Sequence, residues 1–105
     1  STANLPLDTI ADAIRTKALG PIPWAAASAL LEPDVISVGN TEIKSAMRFG
    51  LVEMKQVVEP AGALTLAALF SPAFAALRER HQLRNVAAIV CGGNVDPEAY
   101  AQMIL

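Results

Sequence analysis

One cysteine, Cys91, and one histidine, His81, are all the thiol and imidazole this 105-residue chain contains. A lone cysteine excludes an internal disulfide, and one of each argues against a zinc site. Basic blocks are also lacking. Eight Lys and Arg stand against ten Asp and Glu, a net charge of −2, so neither nucleic acid nor an anionic membrane is an expected partner. No uninterrupted apolar run reaches the length of a membrane span, because the densest region, Ala61 to Leu77, is broken by Pro72. The start, Ser1-Thr2-Ala3-Asn4, carries no initiator methionine, basic region or signal-peptide core, and with the cysteine count it sets the expectation of a reducing cytoplasm. Charged residues make up only 17% of the chain and hydrophobic ones 53%. The length allows one domain. A domain this small has much surface to cover, so the apolar excess implies that something else covers part of it.

The most informative stretch runs from Leu83 to Pro97. Val86-Ala87-Ala88-Ile89-Val90-Cys91 is a continuous apolar run, opened by Arg84-Asn85 and closed by Gly92-Gly93. Alternation would indicate a strand with one wet face; a continuous run predicts a strand buried on both faces, as in parallel sheets. The glycine pair permits backbone conformations closed to other residues and close approach by other groups. Asp96-Pro97-Glu98 then reads as a helix start, with Asp96 as cap and Pro97 at the first helical position. Strand, glycine turn and helix is how open α/β sheets build a ligand site at the carboxyl ends of their strands. The same residues also suit a plain tight turn after a buried strand, with Cys91 as a small hydrophobe.

In chain order, residues 1–7 are expected to be extended and polar, with Pro6 blocking an early helix. Asp8 to Arg15 suggests one or two helical turns with Ile10 and Ile14 on one face. Thr16 to Pro23 reads as a loop, and an alanine-rich, buried helix is predicted from Trp24 to Leu31. Val35-Ile36-Ser37-Val38 is a short strand candidate. Ile43, Ala46, Met47, Gly50, Leu51 and Met54 then fall on one face of a helix, with Asn40 or Thr41 as its cap and Glu42, Lys44, Arg48 and Glu53 on the wet side. Glu59-Pro60 opens a further helix over Ala61 to Phe70, apolar on every side and so suited to the middle of a large core. Glu59 is either a helix-start carboxylate and nothing more or part of a site. Ser71-Pro72 breaks that helix, and Phe74 to Arg80 resumes it. His81 follows in a polar stretch and reads as a surface residue. No internal repeat is present.

Three segments together, Thr9-Ile10-Ala11-Asp12, Val58-Glu59-Pro60-Ala61-Gly62-Ala63 and Cys91-Gly92-Gly93-Asn94-Val95-Asp96, resemble in order and spacing the carboxyl-terminal third of the serine/threonine dehydratases. That family uses pyridoxal phosphate on the tryptophan-synthase-β type of fold and includes serine racemases and hydroxyaspartate dehydratases. The resemblance implies an α/β fold, here part of an open, mainly parallel sheet flanked by helices. It implies that residues 1–105 are a single carboxyl-terminal fragment of a catalytic domain. By the same resemblance Cys91 hydrogen-bonds the pyridine nitrogen of the cofactor, with Gly92 beside it, Glu59 lies near the ring, and Gly20 lines the site close to where the cofactor joins its lysine. The family's cofactor-bearing lysine, phosphate cup, substrate-carboxylate loop and metal site all lie upstream of the matched region. Lys17, Lys44 and Lys55 do not match that lysine, so no catalytic residue is assigned in this chain. Where many members have glycine after Thr-Ile-Ala-Asp, Ala13 stands here, and the Gly20-Pro21-Ile22-Pro23 loop departs from the family pattern.

The expected activity is that of a hydroxyamino-acid dehydratase, an ammonia-lyase acting on L-threonine, L-serine or a β-hydroxy relative to give a 2-oxo acid and ammonia. A neutral thiol at the ring nitrogen makes a weaker electron sink than a carboxylate there, which favours elimination over transamination. Racemase or β-replacement activity on the same fold is the nearest alternative. A non-catalytic interaction module that keeps only this pocket wall is the alternative of another class. Expected partners are the amino-acid substrate, the rest of the catalytic domain and a second copy of the protein in a homo-oligomer.

Overall fold

The computed structural model describes residues 8–105; the extended opening expected for residues 1–7 lies outside them. The described residues form a short 3-10 turn at Asp12–Ile14 and five helices: α1 (Pro21–Leu30), α2 (Asn40–Val52), α3 (Leu64–Leu69), α4 (Pro72–Arg80) and α5 (Pro97–Ile104).

Helix α2 is the one that α3 and α5 pack against. Ile43, Ala46, Met47 and Gly50 are buried, as the periodicity predicts. Its cap is Gly39, one residue before Asn40. The Glu42 carboxylate reaches back to accept the Gly39 N–H at 3.0 Å, which satisfies one of the free amides of the helix start. Asn40 is instead spent on a long-range bond, its Oδ1 accepting the Ile10 N–H at 3.1 Å. On one side of α2 the Tyr100 hydroxyl donates to the Met47 carbonyl at 3.2 Å and ties in α5. On the other, Phe49 meets Phe70 edge to face with centroids 4.8 Å apart, at the end of α3. The Asp96 side chain caps α5 by accepting from the Ala99 N–H at 2.9 Å, with Pro97 in the first turn, as the sequence indicates.

Several boundaries differ from expectation. Helix α1 begins at Pro21, so the double-proline stretch is its first turn rather than a loop; amides there have no intrahelical partner, and prolines cost nothing by lacking one. Predicted to be buried, α1 is exposed along its length, with Trp24 61% and Leu30 84% accessible. Ile10 lies before the 3-10 turn and packs on the core, while Ile14 ends that turn and is exposed, so the two do not share a helical face. Pro60 to Ala63 form a turn before α3 starts at Leu64. Ser71 ends α3 and begins α4: its hydroxyl donates to the Ala68 carbonyl at 2.6 Å and accepts the Phe74 N–H at 3.1 Å.

No strand forms among the described residues. Val35 to Val38 and Val86 to Cys91 are extended but unpaired. The burial on both faces expected of Val86 to Cys91 is not observed: Ala88 and Val90 are half-buried, while Ala87, Ile89 and Cys91 are exposed. Cover exists on one side only, where the Thr65 hydroxyl of α3 donates to the Ile89 carbonyl at 2.6 Å. The parallel sheet expected from the apolar run therefore has no second strand within residues 8–105.

Candidate functional site

Two motifs some thirty residues apart meet edge to edge. The Glu59 N–H donates to the Gly92 carbonyl at 3.0 Å, and Glu59 Oε2 accepts the Asn94 N–H at 3.0 Å. Gly92 has φ +79°, a backbone region that favours glycine, and a Cβ there would run into the Glu59 carboxyl group. Gly62 sits against the next peptide along: a Cβ built on it would overlap the Cys91 carbonyl. The Glu-Pro turn is thus held down on the glycine loop by two hydrogen bonds and two places where only glycine fits.

Cys91 is exposed at the end of the extended segment, immediately before this junction. Of the four residues the sequence singles out, the structure brings Glu59, Gly92 and Cys91 together. Gly20 stands apart from them as the cap of α1, where a Cβ would meet only the Pro23 ring, at 3.7 Å. Gly62 and Asn94 belong to the cluster although sequence reasoning gave them no role. Gly62 could have been found only by knowing that its motif packs against the Cys91 carbonyl.

A shallow cavity of about 430 Å³ opens beside the junction, lined by Glu59, Pro60 and Asn94, by Asp12 and Arg15 of the 3-10 segment and by Asp96. Three of these polar side chains are already engaged. Arg15 donates to the Thr9 carbonyl at 2.6 Å, Asp96 caps α5 and Glu59 holds Asn94. No lysine lines the cavity. Lys55 donates to the Val52 carbonyl at 2.6 Å and finishes α2. His81 is exposed beside the Asp34–Arg80 ion pair, as a surface residue. No group of His, Cys, Asp and Glu among the described residues is arranged to hold a metal, and no helix among them is long and apolar enough to cross a membrane. The arrangement can present a thiol at a rigid turn.

No protein-family model matches the chain. It is 38% identical over 96 residues to an L-threo-3-hydroxyaspartate ammonia-lyase of a Pseudomonas species, covering 91% of this chain and 28% of that one. It is 33% identical over 96 residues to a serine racemase of Schizosaccharomyces pombe, again covering 28% of the relative. Among solved structures, a pyridoxal 5'-phosphate-dependent aspartate racemase superposes with a TM-score of 0.81 at 41% identity, over 88% of this chain and 28% of that one. The chain spans little more than a quarter of the length of these relatives.

Proposed function

Because the chain is homologous to a stretch of the pyridoxal-phosphate-dependent fold type II enzymes, consistent with a carboxyl-terminal piece of the serine/threonine dehydratase family, we propose that it is one wall of such an enzyme's cofactor pocket. The remainder of the domain belongs to the same polypeptide or to a companion chain. The reaction is elimination of water from a hydroxyamino acid to give an enamine, whose imine form takes up water and releases ammonia, leaving a 2-oxo acid. The likeness to a hydroxyaspartate ammonia-lyase carries this reading, and it favours a β-hydroxy acidic amino acid over L-threonine or L-serine. A racemase is the second reading, on the strength of the serine and aspartate racemases the chain resembles.

The donor set at the junction fits the cofactor's ring edge. A thiol is a neutral, weak donor and acceptor, suited to meeting a pyridine nitrogen without fixing a charge on it. When bound, pyridoxal phosphate supplies the electron sink for the bond broken at the substrate's α-carbon. Cys91 would hold the ring nitrogen, Gly92 would let the ring approach the backbone, and Gly20 would lie near the lysine end of the cofactor. Phosphate binding and proton transfer fall to residues outside this chain. A homo-oligomer in the cytoplasm is part of the same proposal.

The test is to assay the complete protein with pyridoxal phosphate on L-threo-3-hydroxyaspartate, L-serine and L-threonine. The expected outcome is 2-oxo acid and ammonia in equal amounts, fastest on hydroxyaspartate. Accumulation of D-serine, or of the α-epimers of the other two substrates, without 2-oxo acid would favour the racemase, and bound cofactor with neither product would favour the non-catalytic module.

A further inference from the structure

Glu59 carries an inference that rests on the cofactor reading above and deepens it. The family resemblance puts this glutamate near the ring, which suggests a charge acting on the cofactor directly. In the structure its backbone N–H and one carboxylate oxygen are both engaged by the glycine loop. The Glu59 N–H holds the Gly92 carbonyl and Glu59 Oε2 holds the Asn94 N–H, each at 3.0 Å, so the two bonds bracket Gly93. The carboxyl group also fills the space that a side chain on Gly92 would need, while Gly62 backs the Cys91 carbonyl. Cys91 has no other polar restraint among the described residues. Without the Glu59 carboxyl group, the turn after Cys91 would keep two backbone bonds, Glu59 N–H to the Gly92 carbonyl and Val95 N–H to the Gly93 carbonyl, each at 3.0 Å, and nothing would hold the Asn94 N–H.

We propose that Glu59 is a positioning residue: it fixes the Cys91–Asn94 turn so that the thiol meets the cofactor ring, and it acts as a hydrogen-bond acceptor rather than as a charge. Geometry and charge separate cleanly in two substitutions. Glu59→Gln keeps a carbonyl oxygen for the Asn94 N–H and removes the charge. Glu59→Ala removes both.

The measurements are made on the complete protein: the dissociation constant for pyridoxal phosphate, the absorption spectrum of the bound cofactor, and hydrogen exchange of the Asn94 amide without cofactor. Glu59→Gln is expected to keep the wild-type spectrum and exchange, with affinity within about twofold. Glu59→Ala is expected to lose about tenfold or more in cofactor affinity and to release the Asn94 amide to exchange. If both variants change the spectrum and affinity alike while the cofactor still binds to wild type, the charge is what matters and the positioning role is wrong. Should Glu59→Ala fail to fold, an altered spectrum in the isosteric Glu59→Gln variant overturns it equally. Wild-type protein that binds no pyridoxal phosphate would instead sink the cofactor reading, and with it the purpose assigned to this turn.

Discussion

Cys91 is the residue on which the proposed chemistry is most exposed to test. A neutral partner at the ring nitrogen should be replaceable by another neutral donor and acceptor, so Cys91→Ser is expected to retain most 2-oxo acid formation in the complete enzyme. Cys91→Asp sets a carboxylate against the ring nitrogen, which holds it protonated and strengthens the electron sink, so 2-oxo acid formation is expected to fall by at least about tenfold, roughly 1.4 kcal/mol. Should Cys91→Ser abolish turnover while the cofactor stays bound, the thiol has a covalent role instead. The surrounding residues show why the sequence could name Cys91 and Glu59 yet miss Gly62. The first two stand in motifs with their own chemistry, whereas Gly62 matters only because its backbone lies against a carbonyl 29 positions later in the chain.

Helix α2 bears most of the packing within the described residues, since Ile43 and Met47 are the largest fully buried side chains. Truncating Met47→Ala in the complete protein should cost about 2–5 kcal/mol, while Lys44→Ala on the wet face should stay within about 0.5 kcal/mol. Denaturant unfolding compares them, and equal midpoints would show that α2 is not where the stability lies. The face of α2 was legible because Ile43, Ala46, Met47 and Gly50 repeat at helical spacing, although Met54, assigned to the same face, lies exposed beyond the helix end, and the start of α5 because Asp96-Pro97 is a strong local signal. Helix α1 was misplaced because Pro21 and Pro23 read as breakers, although a first turn tolerates them. Val86 to Cys91 was read as a buried strand, and no strand forms there. Its sheet was not available to form, because strand pairing is a property of neighbours and none lies within residues 8–105. Glu59 meeting Gly92 was not legible, since nothing local joins residues so far apart and the resemblance only set each of them near the cofactor.

At the scale of the whole molecule, the chain has the shape of a part. Its radius of gyration is 15.0 Å, against about 13 Å for a compact domain of 100 residues, and it is a slab measuring 40 × 37 × 21 Å. Nine hydrophobic residues are buried among the described ones, while Ile22, Trp24, Leu30, Val35 and Ile89 stand open to solvent. Expressed alone, the chain is expected to associate and to bind a hydrophobic dye. A monomer in sedimentation with a sharp, cooperative melt would contradict this.

The open edge of Val86 to Cys91 bears on how that association would proceed. Six consecutive residues without charge or proline, rich in β-branched side chains, have the composition of a steric zipper. Until other strands flank it, this stretch can pair with its own copies, stacking about 4.7–4.8 Å apart along a fibril axis. Arg84 and Asn85 at one end and the glycine pair at the other act as gatekeepers, confining the hazard to those six residues. The segment proposed to present the thiol to the cofactor is thus also one that can pair with its own copies while its edges stand open.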